Sequence, residues 1–355
     1  MAVGILDTND RTVLKRACLR LVFFPSGAWA EIIDTCSISD KHPMTTFSTF
    51  KTTPDNALAP AVRHGFYPLA LGLTLVFIYL EVAGTFGSLG KAYPVYLGLM
   101  IATMLLLEWR LPLQREWRMT WRSLLQRDLP MMAINGAAIA ATSAAVTALA
   151  GWVSPEKPVH AHFLPWWAQA ICTILISDLI WYGVHRYSHE GQGRLGAWLW
   201  KTHALHHLPE QVYVLMHVVG HPLNSAYVRV ILMLPAIGLG FSPEAVFAAS
   251  VLTGFQGLVS HFNVDIRAGW LNRIFMGTEL HRYHHSADPT EGKNYAAVVT
   301  LWDQLFGTFE YHPGEHPTAL GVRDRASYPQ EQQWGRLMAL PFTPAKLKIV
   351  KGISD

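Results

Sequence analysis

Four apolar runs, at residues 66–86, 93–107, 130–153 and 163–184, are each close to the length at which an α-helix crosses about 30 Å of hydrocarbon. No water reaches backbone amides and carbonyls inside a bilayer, so such runs must satisfy those groups internally, as helices do. The fold class this predicts is all-α, a multi-pass transmembrane helical bundle with four spans. A fifth apolar stretch, 227–259, is interrupted at Gly238, Gly240 and Pro243, which predicts a helical hairpin or two short helices. Composition agrees, with 15% charged residues, 51% hydrophobic residues and a mean hydropathy of +0.20.

Topology follows from basic residues. Arg110, Arg115, Arg118, Arg122 and Arg127 crowd the segment after the second run, whereas the loops near Ser88 and Pro155 carry only Lys91 and Lys157. Lys and Arg concentrate on the cytoplasmic side, so that segment is expected there, and counting spans onward places the end of the fourth run and the histidines after it on the same face, as a cytoplasmic histidine-rich helical cap on the bundle. Residues 1–60, with mixed charges and an apolar run stopped by Pro25 and Gly27, read as a poorly ordered leader. Residues 61–310 form the membrane-embedded part, and the polar residues 311–355 read as a solvated cytoplasmic tail. Cys18, Cys36 and Cys172 are far apart, which argues against a disulfide framework or a thiolate metal site. No basic run with interleaved aromatics supports nucleic-acid binding.

Histidine is the compositional outlier: of 17 residues, eleven lie between positions 185 and 285. WYGVHRYSHE places His185 and His189 four apart on one helix face. KTHALHH supplies His203, His206 and His207, and ELHRYHH supplies His281, His284 and His285. In each HxxHH the three imidazoles are expected to face one region. His261 lies between them in SHFNVDI. A lone pair at helical spacing is usually just two solvated or satisfied histidines, but the repeated spacing argues for metal. More imidazoles are present than one ion can use, so two metals are implied, and imidazole alone suits Zn, Cu, Fe or Ni. HExxH is absent, and soluble di-iron bundles rely on Glu and ExxH pairs instead.

Asp178, Tyr182, His185 and His189 share one stripe. A carboxylate in an apolar span is a functional candidate, because a ligating histidine usually gives its second N–H to a carboxylate or carbonyl. A helix-to-helix hydrogen bond is the plainer alternative. Asn294 and Asp303 are further outer-sphere candidates, and Glu81 is either substrate-facing or interfacial. GQGRLG, residues 191–196, matches GxGxxG but follows a membrane helix, so it reads as a flexible loop.

The series HxxxH, HxxHH, HxxHH beside membrane helices resembles the fatty acid hydroxylase and sterol desaturase superfamily, integral-membrane di-iron oxygenases, over residues 179–310. GKNYAAVVTLWDQLFGTFE, residues 292–310, is similar to the family's stretch after its last histidine box. The resemblance implies two iron ions held by His185, His189, His203, His206, His207, His281, His284 and His285, with His261 completing the set. It implies a monooxygenase (hydroxylase) that uses O2 on a membrane lipid such as an ornithine lipid or a fatty acyl chain, with lipid or sterol desaturation as the alternative outcome. It also implies a separate electron donor, ferredoxin-like or a reductase. The expected location is the inner membrane of a bacterium, with the active site facing the cytoplasm. His217 and His221 stay open between ligand, structure and substrate. A metal transporter, the remote alternative, would carry ionisable residues in several spans, whereas here Asp178 and Glu81 are nearly alone.

Overall fold

The computed structural model describes residues 18–23, 29–34, 58–153 and 163–344. The chain divides into two compact units, Met1–Lys51 and Thr52–Asp355. In the first, β1 (Cys18–Phe23) and β2 (Trp29–Asp34) pair antiparallel, with Cys18 opposite Asp34 and Phe23 opposite Trp29. Strand-favouring Leu, Val, Ile and Trp fill both segments. Beyond this one pair every described element is helical, in keeping with the all-α class expected from the sequence. The remainder of the expected leader up to residue 57 lies outside the described residues.

The second unit is helical. In order it comprises α1 (Ala59–Val82), α2 (Tyr93–Arg110), α3 (Trp121–Ser123), a π-helical stretch Leu124–Asp128, α4 (Leu129–Val153) and α5 (Trp166–Glu190). Then come α6 (Gly193–His207), α7 (Pro222–Gly238), α8 (Pro243–Ser260), α9 (Thr278–His284), α10 (Leu301–Leu305) and α11 (Trp334–Ala339). Proline opens α1, α2, α7 and α8, where its missing N–H removes nothing from the helix ladder. The interrupted fifth stretch does form two helices, α7 and α8.

Among the described residues three helical stretches, not four, are long and apolar enough to cross a membrane: Ala59–Val82, Trp121–Trp152 and Trp166–Glu190. The exception, α2, has 18 residues and ends in polar ones. Its Glu108 is buried and accepts the amides of Val214 and Asn263, both at 2.8 Å, so α2 ends on the polar part of the fold. Glu81 is also structural: it accepts the amides of Gly90 and Ala92 at 2.8 and 2.7 Å and closes the turn between α1 and α2.

The core runs where α1 and α2 pack on α8 through Tyr67, Met104, Phe255 and Phe262. In the Trp121–Trp152 stretch only 6% of the apolar window is buried, as in a lipid-exposed helix, while the other side of α4 packs against α7. The C-terminal segment differs from a solvated tail. Leu337 of α11 is buried with Met131, Leu205 and Leu208, and Lys201 Nζ donates to the carbonyl of Thr343 at 2.7 Å.

GQGRLG is a tight corner rather than a flexible loop, and it fixes how α6 leaves α5. A Cβ on Gly196 would lie 2.4 Å from the carbonyl carbon of Gly191, and one on Gly191 would lie 2.1 Å from the carbonyl oxygen of Tyr187. Gly196→Ala must therefore push backbone apart. We expect it to lower stability by about 1–3 kcal/mol, as overpacking does, read as an earlier thermal midpoint in detergent. Gly183→Ala, with open space at its Cβ, is the control and should melt no earlier than the native chain.

Candidate metal centre

The helical period distributes the histidines. His185 and His189 lie one turn apart near the end of α5, and the glycine corner turns α6 back so that its own histidines meet them. At about 100° per residue, positions i and i+4 nearly align while i+3 and i+4 diverge. The HxxHH triplets therefore do not each face one region, as spacing alone suggested. His203 and His207 join His185, His189 and His284 in one group; His206 joins His261, His281 and His285 in a second. Thus α6 gives two imidazoles to the first group and one to the second, and the ELHRYHH segment of α9 gives one and two. Within each group one nitrogen per residue lies within 4.8 Å of all the others. All nine expected residues are brought together, and most are buried.

In five of the nine rings a hydrogen bond fixes which nitrogen carries the proton. His185 Nδ1–H donates to the carbonyl of Tyr295 at 2.6 Å, His206 to Val219 at 2.8 Å, His261 to Gly257 at 2.8 Å and His284 to Lys293 at 3.0 Å. His203 donates to Asn224 Oδ1 at 3.2 Å, an oxygen that also accepts from Tyr227 at 2.6 Å. A carbonyl oxygen can only accept, so each of these neutral rings has a bare Nε2. The bare nitrogens of His185 and His203 are nevertheless 2.8 Å apart, and those of His206 and His261 3.1 Å apart. Two lone pairs at that distance make no hydrogen bond. A cation between them removes the conflict, and imidazole nitrogens about 2.1 Å from one ion and at right angles around it are about 3 Å apart. Nε2 of His189 and of His284 are buried without a partner. The donor set fits a metal in each group.

The outer candidates act one bond further out. Asp178 reaches no histidine; its carboxylate accepts the amides of Ala297, Val298 and Val299 at 2.8–3.3 Å. Asp303 accepts those of Tyr295 and Ala296 at 2.7 and 2.9 Å. Asn294, at φ +61°, donates to the carbonyls of Leu280 and Glu310 and accepts the amide of Glu310. Together they hold the strip whose Lys293 and Tyr295 carbonyls orient His284 and His185. His221 belongs to neither group: its Nδ1 caps α7 by accepting the Leu223 amide, and its Nε2 donates to Met338. His217 also stays outside, its ring 5.4 Å from His261.

Sequence reasoning missed the apolar walls. Trp181 stacks on His185 at 4.7 Å, and Trp200 meets His189 edge-on at 5.1 Å. Asn224 and Tyr227 were missed as well. Trp181 lies one helical turn before His185, a spacing that could have found it; Trp200, one turn before His203 on α6, carries the same signal, whereas Asn224 and Tyr227 come from α7 and carry none.

A membrane-embedded helical fold enclosing two histidine clusters is the class that fold and site define. The sequence model of the fatty acid hydroxylase family matches residues 170–308. The ornithine lipid hydroxylase of Rhizobium tropici is 32% identical over 243 residues, 66% of this chain and 71% of that protein. The alkylglycerol monooxygenase of Caenorhabditis elegans is 26% identical over 164 residues, 45% of this chain and 31% of that protein. A fatty acid hydroxylase of a Lecanicillium species is 29% identical over 177 residues, covering 43% and 46%. No solved structure matches the chain. The chain belongs to the fatty acid hydroxylase and sterol desaturase superfamily. It is an oxidoreductase family of lipid-acting membrane proteins.

Burial, first, and the neighbouring imidazoles, second, hold His203, His207, His261, His281 and His285 well below the ordinary histidine range. Burial likewise takes His206 to about 4 and His284 to about 3. In the unfolded chain these groups bind protons near pH 6.5. Between that pH and their folded values the unfolded state therefore holds more protons, and stability falls as pH falls. We expect the chelator-treated protein in detergent to melt progressively earlier as pH drops from 7 to 5. A midpoint constant over that interval contradicts buried, neutral imidazoles.

Proposed function

We propose that this chain is a di-iron lipid hydroxylase whose catalytic part spans residues 179–310. His185, His189, His203, His207 and His284 hold one iron; His206, His261, His281 and His285 hold the other. The observation that carries this reading is the convergence of bare, buried Nε2 nitrogens in two adjoining groups. Right-angle spacing near 3 Å favours a five- or six-coordinate iron over tetrahedral zinc, for which the same bond length gives about 3.4 Å. Five and four protein ligands leave coordination positions open for O2.

Iron so held supplies the oxidising power for R–H + O2 + 2e⁻ + 2H⁺ → R–OH + H2O, the electrons coming from a separate ferredoxin-like protein or reductase. The residues do the rest. Carbonyl acceptors keep the ligand nitrogens unprotonated, Asp178, Asn294 and Asp303 hold the strip that bears the Lys293 and Tyr295 carbonyls, and Trp181 and Trp200 wall the first group against water. The substrate we infer is a membrane lipid with an ornithine headgroup, supported by the Rhizobium relative. A bacterial inner membrane is the expected location. Helices α4 and α5 cross once each in opposite directions, which returns His185 and His189 to the face carrying the Arg110–Arg122 segment; that face is cytoplasmic by the basic-residue rule.

The reading is tested on detergent-purified protein. We expect about two irons per chain, as two histidine groups require, and an ornithine lipid in expressing cells that gains the mass of one oxygen atom. His284→Ala should lose iron and the oxygenated lipid together. One zinc per chain and unchanged lipids would overturn the assignment.

A further inference from the structure

A cavity of about 740 Å³ opens where the polar start of the Trp121–Trp152 span meets the segment after α6. Its lining holds charges of both signs: Arg122, Arg127 and Arg325 with Glu210 and Glu331. Arg127 and Glu331 pair with each other at 2.8 Å. Arg122 bonds only Gln126, at 3.2 Å, and Arg325 uses Nη1 on the carbonyls of Tyr328 and Pro329, which leaves guanidinium N–H groups on both for a ligand. Among the described residues Glu210 has no hydrogen-bond or ion-pair partner.

Two further observations tie this cavity to the membrane and to the histidines. On the helix that supplies Arg122 and Gln126, the apolar side chains Trp121, Leu125, Leu129 and Met132 are exposed. Polar cavity and bare apolar stripe thus meet along one helix at a span end, as headgroup and chains meet in an amphiphile. On the inner wall, Tyr328 accepts a hydrogen bond from Trp200 at 2.7 Å, and the Trp200 ring lies 5.1 Å from His189 and 5.8 Å from His207.

We propose that this cavity holds the polar head of an amphiphile bearing both a carboxylate and an ammonium group, its chains lying along the apolar stripe. The carboxylate takes the free N–H groups of Arg122 and Arg325, and the ammonium donates to Glu210. Charge-assisted pairs of this kind are the strong ones. A head with an anion but no amine leaves Glu210 facing like charge, so the cavity selects against it. This rests on the reading of the chain as a lipid hydroxylase and names the part of the lipid it recognises.

The test uses the full-length protein in detergent, with and without chelator, and native mass spectrometry of lipid retained from an equal mixture of ornithine lipid and phosphatidylglycerol. We expect a preference for ornithine lipid of about tenfold, the worth of one charge-assisted bond, independent of chelation. Glu210→Gln should abolish most of it, Arg122→Gln should weaken retention of both lipids, since both carry an anion, and each should raise KM for ornithine lipid several-fold, with iron content and thermal midpoint unchanged. No preference in the native protein, full preference in Glu210→Gln, or undiminished retention in Arg122→Gln overturns the proposal. If the variants also hydroxylate with unchanged KM, the cavity assignment falls while the hydroxylase stands. If the native protein prefers ornithine lipid but makes no oxygenated product, the cavity stands and the hydroxylase reading falls.

Discussion

Nine imidazoles packed so that their nitrogens converge create a conflict the whole structure has to contain. Protonating the rings would answer the repulsion between lone pairs, but a cluster of imidazolium ions without counter-charges cannot be buried. Leaving them neutral points bare nitrogens at one another across about 3 Å. A cation at each centre would satisfy both demands. Ligand geometry and folding would then be coupled, since such an ion would remove a strain that the packing imposes. The outer nitrogens matter as much as the inner ones: a carbonyl oxygen can only accept, so Tyr295, Val219, Gly257 and Lys293 dictate which side of the His185, His206, His261 and His284 rings carries the proton.

The carbonyls of Tyr295 and Lys293, which lie outside the helices, must themselves be held. Residues 295–299 form no helix or extended ladder, so their amides need partners from elsewhere. Asp178 and Asp303 supply them, five amides between two buried carboxylates. Each carboxylate gains the hydrogen bonds that make its own burial tolerable, and the strip gains a fixed conformation. An acidic residue inside an apolar span is then explained without direct contact with metal. Its effect reaches His185 through one peptide unit.

Much of this was legible in the sequence, and the gaps have physical causes. Eight of the nine clustered histidines could be picked out from spacing, because helices repeat ligands of one kind at three and four residues; His261, alone between the boxes, was reached only through the family resemblance. The division between two groups was not legible, since it depends on a 100° fan around α6 and α9 that a shared-face rule flattens. Apolar length overcounted the spans at α2: hydropathy registers the run of Leu105, Leu106 and Leu107 but not that Glu108 is claimed by amides more than 100 residues away. Asp178 could be flagged as out of place, whereas its partners at 297–299 could not be known before folding brought α5 against that strip. The packing of Leu337 was hidden because its apolar stretch, residues 334–342, is short and follows the polar run Gln330–Gln333.

The exchange of ligands between the groups has a consequence of its own. Had α6 served one metal and α9 the other, each site could form separately. Instead His206 follows α6 into the second group while His284 follows α9 into the first, and the adjoining rings of His207 and His285 stack at 4.4 Å across the boundary. Neither group closes unless both helices are seated. Only His185 and His189 of α5, and His261 at the end of α8, belong wholly to one side. Those two helices also pack against each other, α5 as a candidate span and α8 through the core with α1. The two sites therefore assemble as one cooperative unit, set on the part of the bundle that the hydrocarbon already holds in place.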